Sequence, residues 1–216
     1  MTIRTKLYTA LAVTVAGLAV TAGVGIWALA RLSDRFDAVQ RAGDDRALAL
    51  ELKFDVTDFN GWQTAYGYDD GESRPVFLRS VAMFRADLAH ARKQLTRPQD
   101  EQLLGDVGKA FDRFMSLDAV AWRALQAGRR AEVRRLFLGP EIANFHRAAT
   151  AAQQLATRET ARADATERSF RSARQDALRA LILAAIMAGL LVAILIVTAT
   201  DLARTAERAL PPTTEG

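Results

Sequence analysis

Hydrophobic and polar positions divide the chain into two unbroken apolar stretches and a long patterned segment between them. From Leu7 to Ala30 run 24 uncharged residues, about 36 Å of helix, and from Ala180 to Thr200 run 21 more, about 32 Å, against a bilayer core of about 30 Å. Both predict transmembrane helices. Ala28-Leu29-Ala30 has the small-x-small form of a signal-peptide cleavage site, but the apolar run before it exceeds the usual h-region of about 7–15 residues, so it reads as a retained span. A buried core helix is a poor reading of the second stretch, because the rest of the chain is too short to wrap residues that are apolar all round.

The intervening segment is punctuated into helices. Arg31 to Tyr68 runs without proline to the turn signal Asp69-Asp70-Gly71-Glu72-Ser73-Arg74-Pro75, with Ser73 placed to cap the next helix. Phe77, Val81, Phe84, Leu88, Ala91 and Leu95 then recur at steps of four and three, the seam of a packed helix. Thr96-Arg97-Pro98-Gln99 reads as a capping box opening a third helix, whose stripe is Leu104, Val107, Phe111, Phe114, Asp118, Ala121 and Leu125, ending near Gly128. After a short basic piece and Gly139-Pro140, Ile142, Phe145, Ala149, Ala152, Ala156, Glu159, Ala163, Thr166 and Phe170 carry a heptad toward the second span.

The expected fold is therefore all-α: an extracytoplasmic antiparallel four-helix bundle whose first and last helices continue into two transmembrane helices. The expected domains are a cytoplasmic N-terminus (1–6), a first span (7–30), the bundle (31–179), a second span (180–200) and a short cytoplasmic tail (201–216). The flanking arginines do not decide orientation, and a loop of 149 residues lies outside the reach of the positive-inside rule, so both termini inside a plasma membrane is an expectation from the plan alone. Small residues at every fourth position of the spans, as at Ala19 and Gly23, Thr21 and Gly25, or Ala185, Gly189 and Ala193, suit close span packing. Alanines along the fourth helix suit internal packing or a homodimer.

Composition removes function classes. With no cysteine there is no disulfide, thiol nucleophile or cysteine-bound zinc, and His90 and His146 have no ligand at metal spacing. The net charge of +4 is dispersed among acids, so nucleic acid is not an expected partner, and the basic run Arg129 to Arg135 reads as a solvated helix face. No hydrolase, kinase, phosphate-loop or dinucleotide motif is present, so neither an enzyme nor a cofactor is expected.

Candidate chemistry concentrates from Phe54 to Tyr66. Carrying the seam back from Tyr66 through Trp62 and Phe59 puts Asp55 where packing asks for an apolar residue, and Asp118 sits on the facing seam about a turn from Trp62 and Tyr66. Asp55, Asn60, Trp62, Gln63, Tyr66 and Asp118 could together line a polar, aromatic-walled pocket for a small molecule. The competing reading makes the aromatics core and neutralises the two aspartates with arginines such as Arg79 or Arg123. Gly61 favours the pocket, because a glycine inside a helix costs about 1 kcal/mol and has no packing reason visible in the sequence.

The plan of span, helical loop and span, with Lys53-Phe54-Asp55, Asp58-Phe59-Asn60-Gly61-Trp62-Gln63-Thr64-Ala65-Tyr66, Phe77-Leu78, Phe114-Met115-Ser116-Leu117-Asp118 and Gly139-Pro140-Glu141, resembles the four-helix-bundle sensor region of methyl-accepting chemotaxis receptors. The resemblance implies a dimeric transmembrane sensor whose ligand-binding bundle moves one helix against the others, serving signal transduction. Such receptors continue into a HAMP helix pair and a cytoplasmic signalling coiled coil, whereas only Asp201 to Gly216 follow here, with Leu210-Pro211-Pro212 like the opening of a HAMP segment. A truncated product, a split receptor or a module signalling through a separate partner or receptor are the expected explanations. A non-sensory membrane-anchored scaffold, or a dimerisation partner of full-length receptors, is the alternative.

Overall fold

The computed structural model describes residues 3–209, with backbone alone for residues 3, 4, 6, 7, 10, 202 and 205–209; the expected Leu210-Pro211-Pro212 feature lies outside the described residues. Among them the protein is all helix: α1 (Ile3–Tyr68), α2 (Arg74–Gln94), α3 (Pro98–Gln126), α4 (Arg130–Leu136) and α5 (Ile142–Ala209), with a π-helical turn (Phe137–Glu141) leading into α5. The short basic piece expected before Gly139-Pro140 is thus a helix of its own. The chain forms two units, Met1–Asp37 with Arg168–Gly216, and Ala38–Glu167.

The first unit holds the two apolar stretches, each long and apolar enough to cross a membrane. Leu11, Val15 and Val20 of α1 and Ile186, Leu190 and Ile194 of α5 are exposed, so these helices present hydrocarbon outward instead of enclosing a core. A Cβ at Gly17 would lie 2.1 Å from Leu191 Cδ1, so a larger residue there would require that side chain to move, and one at Gly25 would lie 3.9 Å from Leu181 Cδ2, whereas Gly23 and Gly189 face open space. Of the small-residue pairs expected to pack, Thr21 with Gly25 therefore lies on the side of α1 that meets α5, whereas Ala19 with Gly23, and Ala185, Gly189 and Ala193, are exposed. At one end of this unit the Arg31 guanidinium lies 5.0 Å from the Trp27 ring centroid.

In the second unit, the α2 seam from Phe77 to Leu95 and the α3 stripe from Leu104 to Leu125 are buried as expected. On α1 the buried line is Leu48, Leu52, Val56, Phe59, Gln63 and Tyr66, while Trp62 is 37% exposed. Stepping back three residues from Tyr66 instead of four exchanges Trp62 for Gln63. On α5 the innermost line runs through Ala148, Ala152, Leu155 and Glu159, with Phe145 and Ala149 packed at its edge. The α5 alanines therefore serve the core of this unit.

Two helix starts differ from expectation. Ser73 makes no side-chain cap; Asp69 does the work, its Oδ1 accepting from Gly71 N at 3.2 Å and its Oδ2 from Ser73 N at 3.0 Å. Asp70 (φ 56°) and Gly71 (φ 103°) complete this turn in the left-handed region, which glycine and aspartate tolerate best. At α3 the capping position is Arg97, not Thr96, and its side chain is committed elsewhere. It reaches Asp45 at 3.1 Å, Glu159 at 3.3 Å and Asp100 at 3.5 Å, while Arg162 holds Glu159 at 2.6 Å and Asp100 at 3.2 Å. All three carboxylates are buried, so this cluster joins α1, α3 and α5 at a defined register.

Candidate functional site

The other charged cluster lies where the C-terminal end of α1 meets α2, α3 and the π turn. Arg74, the first residue of α2, grips Asp118 through two parallel bonds, Nη1 to Oδ1 at 2.8 Å and Nη2 to Oδ2 at 2.8 Å. This fork geometry is the strongest carboxylate contact a side chain offers. The guanidinium centre lies 4.7 Å from the Tyr66 ring centroid, 4.8 Å from Trp122 and 4.9 Å from Phe77, so aromatic faces stabilise the cation while keeping water away. Arg79 and Arg123, the partners expected from sequence, take no part.

Tyr66 donates its hydroxyl to Asp118 Oδ1, and Gln63 Nε2 donates to Asp118 Oδ1 at 3.2 Å and to Glu141 Oε2. Burial, followed by the Asp118 charge, pushes the Tyr66 phenol well above its ordinary value, which keeps it a donor. Glu141 comes from the π turn, an irregularity that often marks functional positions, and is buried with Oε1 free of any hydrogen-bond partner. Its pKa rises from 4.5 to about 8, through burial first and the Asp118 charge second, against the opposing pull of Gln63 and Arg74.

This shift sets a testable pH dependence. Because the folded-state pKa lies above the unfolded value, the folded protein holds a proton that the unfolded chain has lost, and stability falls as pH rises from about 5 through 8. Glu141→Gln is expected to flatten that slope and to exceed the parent by more than about 1 kcal/mol at pH 8. Parallel denaturant titrations across that range check it; an unchanged slope would show that Glu141 is charged in both states.

Of the six residues expected to converge, Gln63, Tyr66 and Asp118 do. Asp55 belongs elsewhere, facing α2, where burial and then the Asp87 carboxylate raise its pKa to about 7. Trp62 points outward and donates Nε1 to Asp58 Oδ1 at 3.2 Å. Asn60 lines a pocket of about 410 Å³ together with Gln63, Thr64, Arg130, Arg134, Phe137 and Leu138. Arg130 is held there by Asp70 at 2.7 Å, and Arg134 has no ion pair among the described residues. The basic run read as a solvated face thus supplies two arginines to a pocket wall, and Gln63 spans from that wall to the buried carboxylates.

Arg74, Trp122, Arg130, Arg134 and Glu141 are the members that sequence reasoning missed. The only available signals were Arg74 beside the turn and Glu141 after Gly139-Pro140, both at element ends where periodicity says nothing. Among the described residues no group of three or more His, Cys, Asp or Glu is placed to hold a metal ion. Comparison with protein-family models, with curated proteins and with solved structures found no match for this chain.

Proposed function

We propose that the chain is a two-pass plasma-membrane sensor module. Its second unit is an antiparallel four-helix bundle outside the membrane, both termini are cytoplasmic, and a small solute binds in the pocket at Asn60 and Gln63. The observation that carries this reading is Gln63: one amide lines the pocket and also donates to both buried carboxylates, so an occupant that draws on it alters the balance between Asp118 and Glu141. The outward hydrocarbon of both apolar stretches supports the membrane, and the likeness to chemotaxis receptor sensor regions supports signalling across it.

Arg130 and Arg134, lining the pocket together with Val133, Phe137 and Leu138, suit a small anion with an apolar body. A shift of about 1–2 Å between helices is a typical response in such switches. Such a shift of α5 must strain the contacts that cross from it to the start of α3, Glu159 with Arg97 and Arg158 and Arg162 with Asp100, which makes that cluster the natural two-state element. The reading as a scaffold without a solute draws support from Asp118, whose two oxygens are already served by Arg74, Tyr66 and Gln63.

A thermal-shift screen of the full chain in detergent against organic acids, amino acids, amines and sugars separates the two. A solute at 100 times its dissociation constant adds about 2.7 kcal/mol. Asn60→Ala is expected to abolish the shift while moving the unliganded melt by less than about 0.5 kcal/mol. Gln63→Ala is the poorer probe, because it also leaves two buried carboxylates without their shared donor. A flat screen over a cooperative melt favours the scaffold.

A further inference from the structure

Within the first unit, the ends of the two apolar stretches enclose a pocket of about 370 Å³, lined by α1 between Trp27 and Arg35 and by α5 between Ser169 and Ala177. Short side chains make the room. Ala28 and Ala177 are buried where the helices meet, and beside them Ala173 and the hydroxyls of Ser169 and Ser172 leave the gap unfilled.

The charge of this pocket is one-sided. Arg31 and Arg35 line it one helical turn apart, and neither has an acidic partner among the described residues. The half-buried Arg35 donates Nη1 to the neutral Ser169 Oγ at 2.6 Å, and Arg31 lies over the Trp27 ring, which carries no negative charge to answer it. The acid in the lining, Asp176, already pairs with Arg179 at 3.5 Å, and Asp34, between the two arginines in sequence, does not line the pocket. Two uncompensated guanidiniums beside serine hydroxyls describe a site for an oxyanion, since arginine N–H groups match phosphate and carboxylate oxygens in pairs.

The level of the pocket decides which oxyanion. Arg31 is the first charged residue after the apolar stretch of α1 and Arg179 the last before that of α5, while Gly25 faces Leu181, so both stretches give way to charge near Trp27. Tryptophan concentrates at that boundary in membrane proteins. At about 1.5 Å per residue, Arg31 and Arg35 stand about 2 and 8 Å past Ala30, the depth of the headgroup layer that covers the hydrocarbon on each face. The oxyanion of that layer is the lipid phosphate.

We propose that this pocket holds the phosphate of an anionic phospholipid between Arg31 and Arg35, with the exposed Trp27 indole against the glycerol and upper acyl chain. A zwitterionic lipid fits less well, because its ammonium group would face the same two guanidiniums. The inference rests on the membrane reading proposed above and is independent of the solute pocket at Asn60.

Melts of the full chain in dodecyl maltoside micelles, followed by circular dichroism, test it by titration with phosphatidylglycerol, phosphatidylcholine or inorganic phosphate. Phosphatidylglycerol is expected to raise the melting temperature at a half-saturating mole fraction about tenfold below that of phosphatidylcholine. The double variant Arg31→Gln, Arg35→Gln should raise that fraction about tenfold, and Arg204→Gln, an exposed arginine past the far end of the α5 stretch, by less than about twofold. Arg31→Gln alone, at an exposed position, should show a smaller rise and keeps the test readable if the double variant fails to fold. An unchanged titration in the folded variants would overturn the site. So would an equal loss in Arg204→Gln, which marks general attraction of basic ends for anionic lipid, or a shift reproduced by inorganic phosphate, which marks a soluble anion. Failure of the membrane reading shows separately, as release of the parent chain from phosphatidylglycerol vesicles by alkaline carbonate; a parent that resists release yet ignores phosphatidylglycerol overturns the lipid site alone.

Discussion

Replacing Arg74 with methionine is expected to remove about 3–5 kcal/mol of stability, the typical cost of leaving one member of a buried ion pair alone. Asp118 is 1% exposed and Glu141 lies on the same side, so without the guanidinium two acidic groups share one low-dielectric site with only Gln63 and Tyr66 to serve them. Beyond the Tyr66 hydroxyl the aromatic cage offers the orphaned carboxylate nothing, since the rings of Phe77, Trp122 and Tyr66 present faces suited to a cation. Denaturant titration of the full chain in detergent measures the loss, and Arg74→Met with Asp118→Leu should recover most of it, because an apolar pair of similar volume avoids the desolvation cost. A loss below about 1 kcal/mol for Arg74→Met would mean that Asp118 is neutral or hydrated, against the geometry described here.

The second large effect belongs to Phe59. Its ring is fully buried and meets Phe84 at 5.2 Å, Phe111 at 5.5 Å and Phe114 at 5.1 Å, in tilted and edge-on arrangements. Phe59→Ala is expected to cost about 3–5 kcal/mol through lost transfer energy and the cavity left among three rigid rings. Trp62→Ala, three residues on, should cost less than about 1 kcal/mol, since that indole is part exposed and makes a single bond to Asp58. The pair is best measured together. A larger loss at Trp62 than at Phe59 would invert the assignment of inner and outer faces of α1, and with it the placement of Gln63 at the pocket.

That assignment also shows where sequence reading succeeds and where it fails. The stripes of α2 and α3 were legible because nearly all their inner positions are apolar, so periodicity alone fixes their phase. On α1 the inner line passes through the polar Gln63, with Asp55 buried beside Val56, and hydrophobicity drew the line to Trp62, one position away. The two choices differ by one step of three or four. Gly61 was read as a sign of the pocket, yet it is exposed and a Cβ there would meet nothing within 4 Å. Similarly, the spacing of α5 fixed a heptad but not which alanines lay innermost, since alanines occur on every side of that helix.

What the sequence by itself determined is local: the all-helical character, two stretches long and apolar enough for a bilayer, the turn at Asp69–Ser73 and the left-handed Gly128, whose φ is 72°. Each follows from side-chain periodicity or backbone preference within a few residues. Only the tertiary structure decided that Asp118 pairs with Arg74 from 44 residues away, that the π turn delivers Glu141 to Gln63, and that Arg130 and Arg134 line one pocket with Asn60. Burying a charge is tolerable only where a partner already waits, and which helix ends meet depends on how whole seams interlock. The spacing within any one helix does not record that.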